Sequence, residues 1–335
     1  MDNLSKYQNT LIPVFLSELK EFVNANFSDT YRGLKNIFQY HLGLNDPLSQ
    51  QGKHIRPLLV LICCAGTGND WKNAIPAAVS IELIHNFSLI HDDIEDNGLI
   101  RRGKDTVWMK WGLPQGVNAG DAMFTSAFNG IIGLRKVVSE RITLDAMKLI
   151  SKTCQHLTEG QYLDIDFEGR SLVSSDDYLK MVKGKTAALI SCSTRMGALI
   201  GGFSKERQKK YEDFGEALGI AFQIHDDWLG IWGNAEVTGK SVTSDIVDRK
   251  KTLPIILGLE KSTQFADQFK QSEISQEQAI LMAKCLQQDG IEKMVIKLYK
   301  SWTKKAFQAL EKMECDEQAR FALNELTYKL LIRRK

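Results

Sequence analysis

Residues 88–96 read SLIHDDIED, with carboxylates at Asp92, Asp93, Glu95 and Asp96 crowded behind an apolar run. On a helix, Asp92 and Asp96 lie four residues apart on one face, which Asp93 adjoins. Like charges at that spacing repel, so the arrangement is unfavourable until something positive arrives. Oxygen ligands alone suit a hard divalent cation, Mg²⁺ above all. A second acidic pair, Asp226-Asp227 in FQIHDDWLG, also ends a long amphipathic run and also follows Ile-His. Carboxylates near a helix C-terminus oppose the helix dipole as well as one another, which again calls for cations. Two segments of matching layout suggest facing acidic sites inside a helical bundle.

Cationic residues gather in short groups along the same chain. GKHIRP supplies Lys53 and Arg56, RRGK supplies Arg101, Arg102 and Lys104, KGKT supplies Lys183 and Lys185, and the segment after the second acidic pair supplies Lys240 and Lys250. Any one of them alone reads as solvated surface. Together with metal-bearing carboxylates they form a receptor for a diphosphate. Protein carboxylates cannot hold a polyanion directly; bridging metal ions solve that problem. One near miss is set aside: GNAEVTGKS (233–241) places five residues between Gly233 and Gly239, where a P-loop needs four, and it follows a helical pattern instead of a buried strand.

The elements that must position these groups read as helices. Apolar residues recur at helical spacing over 123–138, 144–167, 178–202 and 207–230, with a helix stop and restart at Gly201-Gly202. No proline lies between Pro114 and Pro254, and strand-like alternation is scarce. Two polar segments, 42–57 and 232–254, interrupt the pattern and are where ligand contacts would concentrate. No repeat and no Pro/Gly/Ser linker divides the 335 residues, so the expectation is one all-α domain over 1–335, a single-domain bundle of many long helices around a central cavity. A net charge of +2 offers no global field for nucleic acid or an anionic membrane, so any electrostatic function must be local. There is no apolar stretch of membrane-spanning length and no leader-like N-terminus. Six cysteines without a CxxC spacing read as reduced core fillers. A soluble cytoplasmic protein is expected.

In their order along the chain, GKxxRP (52–57), HxxxxxxDDxxD (His85 to Asp96), RRG, Gly120-Asp121, GQYLD (160–164), GKT (184–186), FQIHDD, Gly239-Lys240 and KKTLP (250–254) resemble the trans-isoprenyl diphosphate synthases, the polyprenyl synthetase family. The likeness covers nearly the whole chain. It implies Mg²⁺-dependent head-to-tail prenyl transfer between isopentenyl diphosphate and an allylic diphosphate, with three Mg²⁺ ions when substrate is bound, Mn²⁺ as a possible substitute, and a homodimer. By the same likeness Asp92, Asp93 and Asp96 hold two of the metal ions, and Asp226 a third with Asp227 in support. Arg101, Lys185 and Lys240 would grip the allylic diphosphate, with Thr186 and Gln223 nearby. Lys53, Arg56, His85 and Arg102 correspond to the isopentenyl diphosphate site, to which Lys250 is added as a substrate-binding residue. Phe87, five residues before the first aspartate, with the small Ser88 after it, corresponds to the floor of the product tunnel and implies a C20 geranylgeranyl product, with C15 farnesyl diphosphate as the alternative.

Departures from the family pattern are local. The second motif often reads DDxxD, whereas Gly230 holds its fifth position here, and Asp245 could supply the missing carboxylate. His54, Asp105 and Trp108 also replace residues common in relatives. Two other readings follow from these departures and from the helical fold. One is a weakly active partner subunit of a heteromeric synthase. The other is a class I terpene cyclase, which would need an N-D-x-x-S-x-x-x-E motif that the chain lacks.

Overall fold

Hydrophobic periodicity near 3.6 is realised as helix throughout, and the all-α expectation holds. The computed structural model describes residues 2–27, 29–45, 52–233, 243–271 and 273–332. In order these form α1 (Asn3–Asn26), α2 (Arg32–Leu42), α3 (Ile55–Ala65), α4 (Ile75–Glu95), α5 (Val107–Trp111), α6 (Leu113–Ile132), α7 (Glu140–Gly169), α8 (Ser175–Val182), α9 (Ala188–Ile200) and α10 (Lys205–Trp232). Further helices follow, among them Leu253–Lys261, Gln276–Gln288, Ile291–Lys312 and Glu317–Leu331. Among the described residues the strands amount to one small hairpin, β1 (Ile100–Arg101) with β2 (Lys104–Asp105). The stop at Gly201-Gly202 is confirmed, Gly202 taking the left-handed φ of 79° that ends a helix. Helix α10 runs directly into Gly233 with no strand before it, which removes the P-loop reading.

The chain forms two compact units, each assembled from separate stretches. The first takes residues 1–154, 192–209 and 314–323; the second takes 155–191, 210–313 and 324–335. In the first unit α4 is apolar on nearly every face and buried for most of its length. Glycines let α6 lie close against it: a Cβ at Gly130 would strike the Ser80 hydroxyl, and one at Gly120 the ring of His91. In the second unit Phe167, Tyr178, Ile224, Trp228, Ile255 and Phe265 anchor a core under α8 and α10. None of the six cysteines is in a disulfide and five are buried, as their spacing suggested. No helix of the described residues is long and apolar enough to cross a membrane.

The helix expected over 178–202 is continuous to Ile200 but is not α throughout. Between α8 and α9 the residues Lys183–Ala187 form a π-helical turn. Opposite it, on α7, the backbone approaches closely. A Cβ at Gly184 would stand 2.6 Å from the His156 carbonyl oxygen and 2.7 Å from Gly160 Cα, so the two backbones cross in direct contact. Single π turns of this kind recur at functional sites.

Candidate active site

In the first unit α4 carries Asp92 and Asp93 in its last turn, with Asp96 at the C-cap. Asp92 is half-buried and Asp96 exposed, while Asp93 is 4% exposed. Arg101 Nε donates to both Asp93 oxygens, at 2.8 and 2.9 Å, and Nη2 lies 2.8 Å from Oδ1. Burial raises the Asp93 pKa and the Arg101 guanidinium pulls it back. Arg101, expected on a diphosphate, and Asp93, expected on a metal, are thus engaged with one another. The hairpin that brings Arg101 back turns through Arg102 (φ 52°) and Gly103 (φ 74°), both left-handed. That two-residue turn suits strand twist. Arginine is a strained choice at such a position, by about 1–2 kcal/mol.

Behind this motif lies a cationic cluster. Arg56 Nη1 is 3.2 Å from His85 Nε2. A small pocket is lined by Tyr40, His41, Arg101, Arg102 and Lys104 together with Asp105 and Thr106. Burial first, then Arg102 and Arg101, hold the His41 pKa down at about 3. His85 is also held well below the ordinary imidazole value, by burial and then by Arg56, Arg102, Arg101 and His41. Burial lowers Arg56 to about 10, against the opposing pull of Glu82, so it remains a cation at neutral pH. The cluster therefore holds guanidiniums interleaved with two neutral imidazoles, and the Nε2 of His41 is buried without a hydrogen-bond partner. Glu82 is 3% exposed and bonds His54 Nδ1 at 2.9 Å. Lys53 is exposed at the edge of the described segment.

On the same helix Phe87 packs edge-on against Phe124 of α6, ring centroids 4.9 Å apart, and Phe124 against Phe128 at 5.2 Å. His91 closes the other side of Phe87 at 5.8 Å. The hydroxyl of Ser88 donates to the His85 carbonyl at 2.8 Å.

In the second unit the π turn aims Lys185 at Asp164 of α7, with Nζ 2.5 Å from Oδ2. The next residue, Thr186, donates its hydroxyl to Gln223 Oε1 at 2.7 Å. Gln223 Nε2 donates in turn to Asp227 Oδ1 at 2.8 Å. The other Asp227 oxygen accepts from the Tyr178 hydroxyl at 2.6 Å and from the Leu253 N–H at 3.0 Å. Burial pushes Asp227 up to about 7, against the three donors that favour its ionised form, and Tyr178 is pushed well above its usual range by burial and by Asp227. Asp226, one residue earlier on α10, is exposed. At Gly230 a Cβ would land on the Asp245 carboxylate, so Asp245 occupies the space beside the fifth position of the motif. Lys250 is exposed, and Lys240 lies outside the described residues, as do the last three residues of the C-terminal LIRRK.

Several of these partners carried no assigned role in the sequence. Asp164 falls inside GQYLD and Glu82 three residues before His85, so both could have been found by asking what pairs with Lys185 and what shares a helical face with His85. His41 and Phe124 in the first unit, and Tyr178 and the Leu253 N–H in the second, meet their partners only through tertiary packing.

Residues 39–288 match the family model described as polyprenyl synthetase. The chain is 43% identical over 227 residues to the (2E,6E)-farnesyl diphosphate synthase of Mycobacterium tuberculosis, a match covering 66% of this chain and 62% of that protein, so it spans less than two thirds of that relative's length. To the geranylgeranyl diphosphate synthase of Methanosarcina mazei it is 37% identical over 269 residues, covering 80% of this chain and 82% of the relative. The crystal structure of geranylgeranyl pyrophosphate synthetase from Pyrococcus horikoshii superposes with a TM-score of 0.89 at 31% identity, covering 99% of this chain and 98% of that one. With its motifs in the family's order and its fold matched end to end, the chain belongs to the polyprenyl synthetase family.

Proposed function

We propose that this protein is a short-chain prenyltransferase that joins isopentenyl diphosphate to an allylic diphosphate and releases geranylgeranyl diphosphate, with farnesyl diphosphate as the alternative product. The observation that carries the reading is the cluster of Arg56, Arg102, His41 and His85. Guanidiniums gathered around imidazoles held neutral, with Arg56 3.2 Å from His85, make a cationic site despite Glu82 and Asp105 nearby, and a diphosphate complements it. Relatives named for both products support the two chain lengths, and the aromatic contacts of Phe87 support a short one.

Residue roles are carried over from the family likeness. Lys53, Arg56, His85 and Arg102 bind isopentenyl diphosphate; Lys185, Lys240 and Arg101 bind the allylic diphosphate, and Lys250 is a further substrate contact. Asp92, Asp96 and Asp226 offer carboxylate oxygens alone, a donor set that fits Mg²⁺, which commonly takes one or two carboxylates and completes its shell with substrate phosphates. Asp93 and Asp227 stand beside them in the two motifs. Three ions with substrate bound, or Mn²⁺ in their place, would neutralise the departing diphosphate. The allylic C–O bond breaks and its electron pair leaves with the diphosphate. The double bond of isopentenyl diphosphate then attacks the allylic carbon, and a proton is lost to the released diphosphate. Lys185 and Arg101 stabilise the leaving group, the second cationic set holds the nucleophile in reach, and an apolar tunnel with its floor at Phe87 excludes water. The proposal extends to a single catalytic domain over 1–335, acting as a cytoplasmic homodimer.

Purified protein incubated with Mg²⁺, isopentenyl diphosphate and dimethylallyl, geranyl or farnesyl diphosphate in turn tests it. A C20 alcohol after dephosphorylation supports the main reading and C15 the alternative. No elongation by folded protein from any starter rejects both and favours the partner-subunit reading.

A further inference from the structure

We propose that the helix Ile291–Lys312 docks the protein on an anionic lipid surface through a row of four lysines, Lys293, Lys297, Lys300 and Lys304. The choice of a lipid partner rests on the prenyl-transfer reading; the lysine row itself does not. Six lysines and two glutamates give this helix a charge of +4, twice the +2 of the whole chain. Steps of four, three and four residues put the four lysines on one helical face, spread over about 16 Å. All four are exposed, while the opposite face, through Ile291, Val295, Ala306 and Leu310, is buried in the second unit. Among the described residues, none of the four lysines meets a carboxylate in an ion pair. Glu292 is turned to Trp228 and Gln287, at 3.1 and 3.0 Å. Glu311, about two turns beyond Lys304, is then the helix's one acidic residue in line with the row.

Like charges three and four residues apart repel, so the row weakens its own helix until a surface of opposite sign faces it. Neighbouring lysines lie closer together than a Debye length, so an anionic surface feels them jointly. The chemistry favours lipid over other polyanions. Each cation is a lysine, a flexible point charge suited to diffuse headgroup phosphates, with no arginine fork to fix one phosphate. The other exposed residues between Lys293 and Lys304, Met294 and Ser301, offer no aromatic face on which unpaired bases could stack. The helix Gln276–Gln288 packs beside this one and exposes Ile280, Leu281 and Lys284. Those are apolar side chains able to enter a headgroup layer, with a cation next to them. A twenty-carbon prenyl diphosphate is itself a lipid, and an enzyme held at the surface releases it where its chain is sheltered from water.

The test is flotation of the full chain, without substrate, on vesicles of phosphatidylcholine alone and on vesicles with about one third phosphatidylglycerol. Wild type should float with the anionic vesicles and not with the neutral ones, and about 0.5 M salt should release it. Each lysine near such a surface multiplies partitioning about fivefold at low salt, so Lys297→Gln with Lys300→Gln should weaken it about 25-fold. Lys6→Gln with Lys20→Gln, at two exposed lysines of α1, changes the net charge equally and should leave partitioning near wild type. Glutamine is a good helix former, so both double variants should keep the wild-type thermal midpoint. Both should also elongate a prenyl chain in solution at the wild-type rate. Equal partitioning onto neutral and anionic vesicles, an unchanged Lys297/Lys300 variant, or an equal fall in the α1 variant would overturn the proposal. Binding to single-stranded RNA that depends on the row, in place of vesicle binding, would assign the row to nucleic acid and overturn it too. Because flotation uses no prenyl substrate, wild-type protein that floats as expected yet elongates nothing would support the docking and count against the prenyl-transfer reading alone.

Discussion

At the scale of single residues, the proposal that Phe87 sets product length involves more than the one side chain marked by motif spacing. Phe87 stands edge-to-face with Phe124, and Phe124 with Phe128, so the proposed floor is a stack whose members are coupled. Phe87→Ala should lengthen the product by about one C5 unit, since the cavity it leaves is still backed by Phe124. Adding Phe124→Ala should lengthen it further than either change alone, as sized by chromatography of the dephosphorylated products. An unchanged product from the double variant would remove the floor assignment. Gly230 poses the opposite question, whether the family's commoner aspartate would improve the second motif. Its side chain would enter the space of the Asp245 carboxylate, placing two like charges in contact. Gly230→Asp should therefore destabilise by about 1–2 kcal/mol. Asp245→Asn should recover part of that loss in a double-mutant cycle followed by urea unfolding. Strict additivity would show that the two positions do not interact.

At the scale of elements, the π turn at Lys183–Ala187 is what aims Lys185 at Asp164, and the backbone crossing of Gly160 and Gly184 accompanies it. A methyl at Gly184 meets backbone atoms, which cannot swing aside as a flexible side chain can. Gly184→Ala should cost about 2 kcal/mol or more of stability. It should also raise KM for the allylic diphosphate while leaving KM for isopentenyl diphosphate near its starting value. A variant that loses stability while keeping both KM values would detach the crossing from substrate binding. This element also marks where reading the sequence stopped short. A run of apolar residues over 178–202 looks the same whether five of its residues wind as α or π, because the period shifts too little over one turn to register. The acidic and basic motifs were legible because metal and phosphate chemistry demand particular side chains at short spacing. Asp227's partners, Tyr178 and the Leu253 N–H, lie 49 and 26 residues away in the chain, and one of them is a backbone group that no residue type announces. Helix existence followed from periodicity, and the hairpin at Arg102-Gly103 did not, since arginine is a poor signal for a left-handed turn.

At the scale of the whole molecule, a net charge of only +2 leaves the pH response of folding to buried local groups. His41 is held near 3 and His85 well below its ordinary value, so across the acid range the folded chain binds fewer protons there than the unfolded chain does. The stability these imidazoles support is present in full above about pH 6.5 and is lost as pH falls toward their folded values. Asp227 works the other way: raised to about 7, it binds its proton more tightly folded than unfolded, and its contribution is lost as pH rises from about 4 to 7. The windows overlap with opposite slopes, the two imidazoles against the raised carboxyls of Asp227 and Asp93, so each group is read from its own variant. His41→Gln removes one of the two without adding a charge. Plotted against pH between 7 and 4.5, the urea-unfolding free energy of that variant should have a less positive slope than wild type, by up to about one proton per molecule. Asp227→Asn should make it more positive instead. Parallel curves for wild type and His41→Gln would mean that His41 titrates in the folded protein as it does in the unfolded chain, and that burial and the arginines beside it do not hold it neutral.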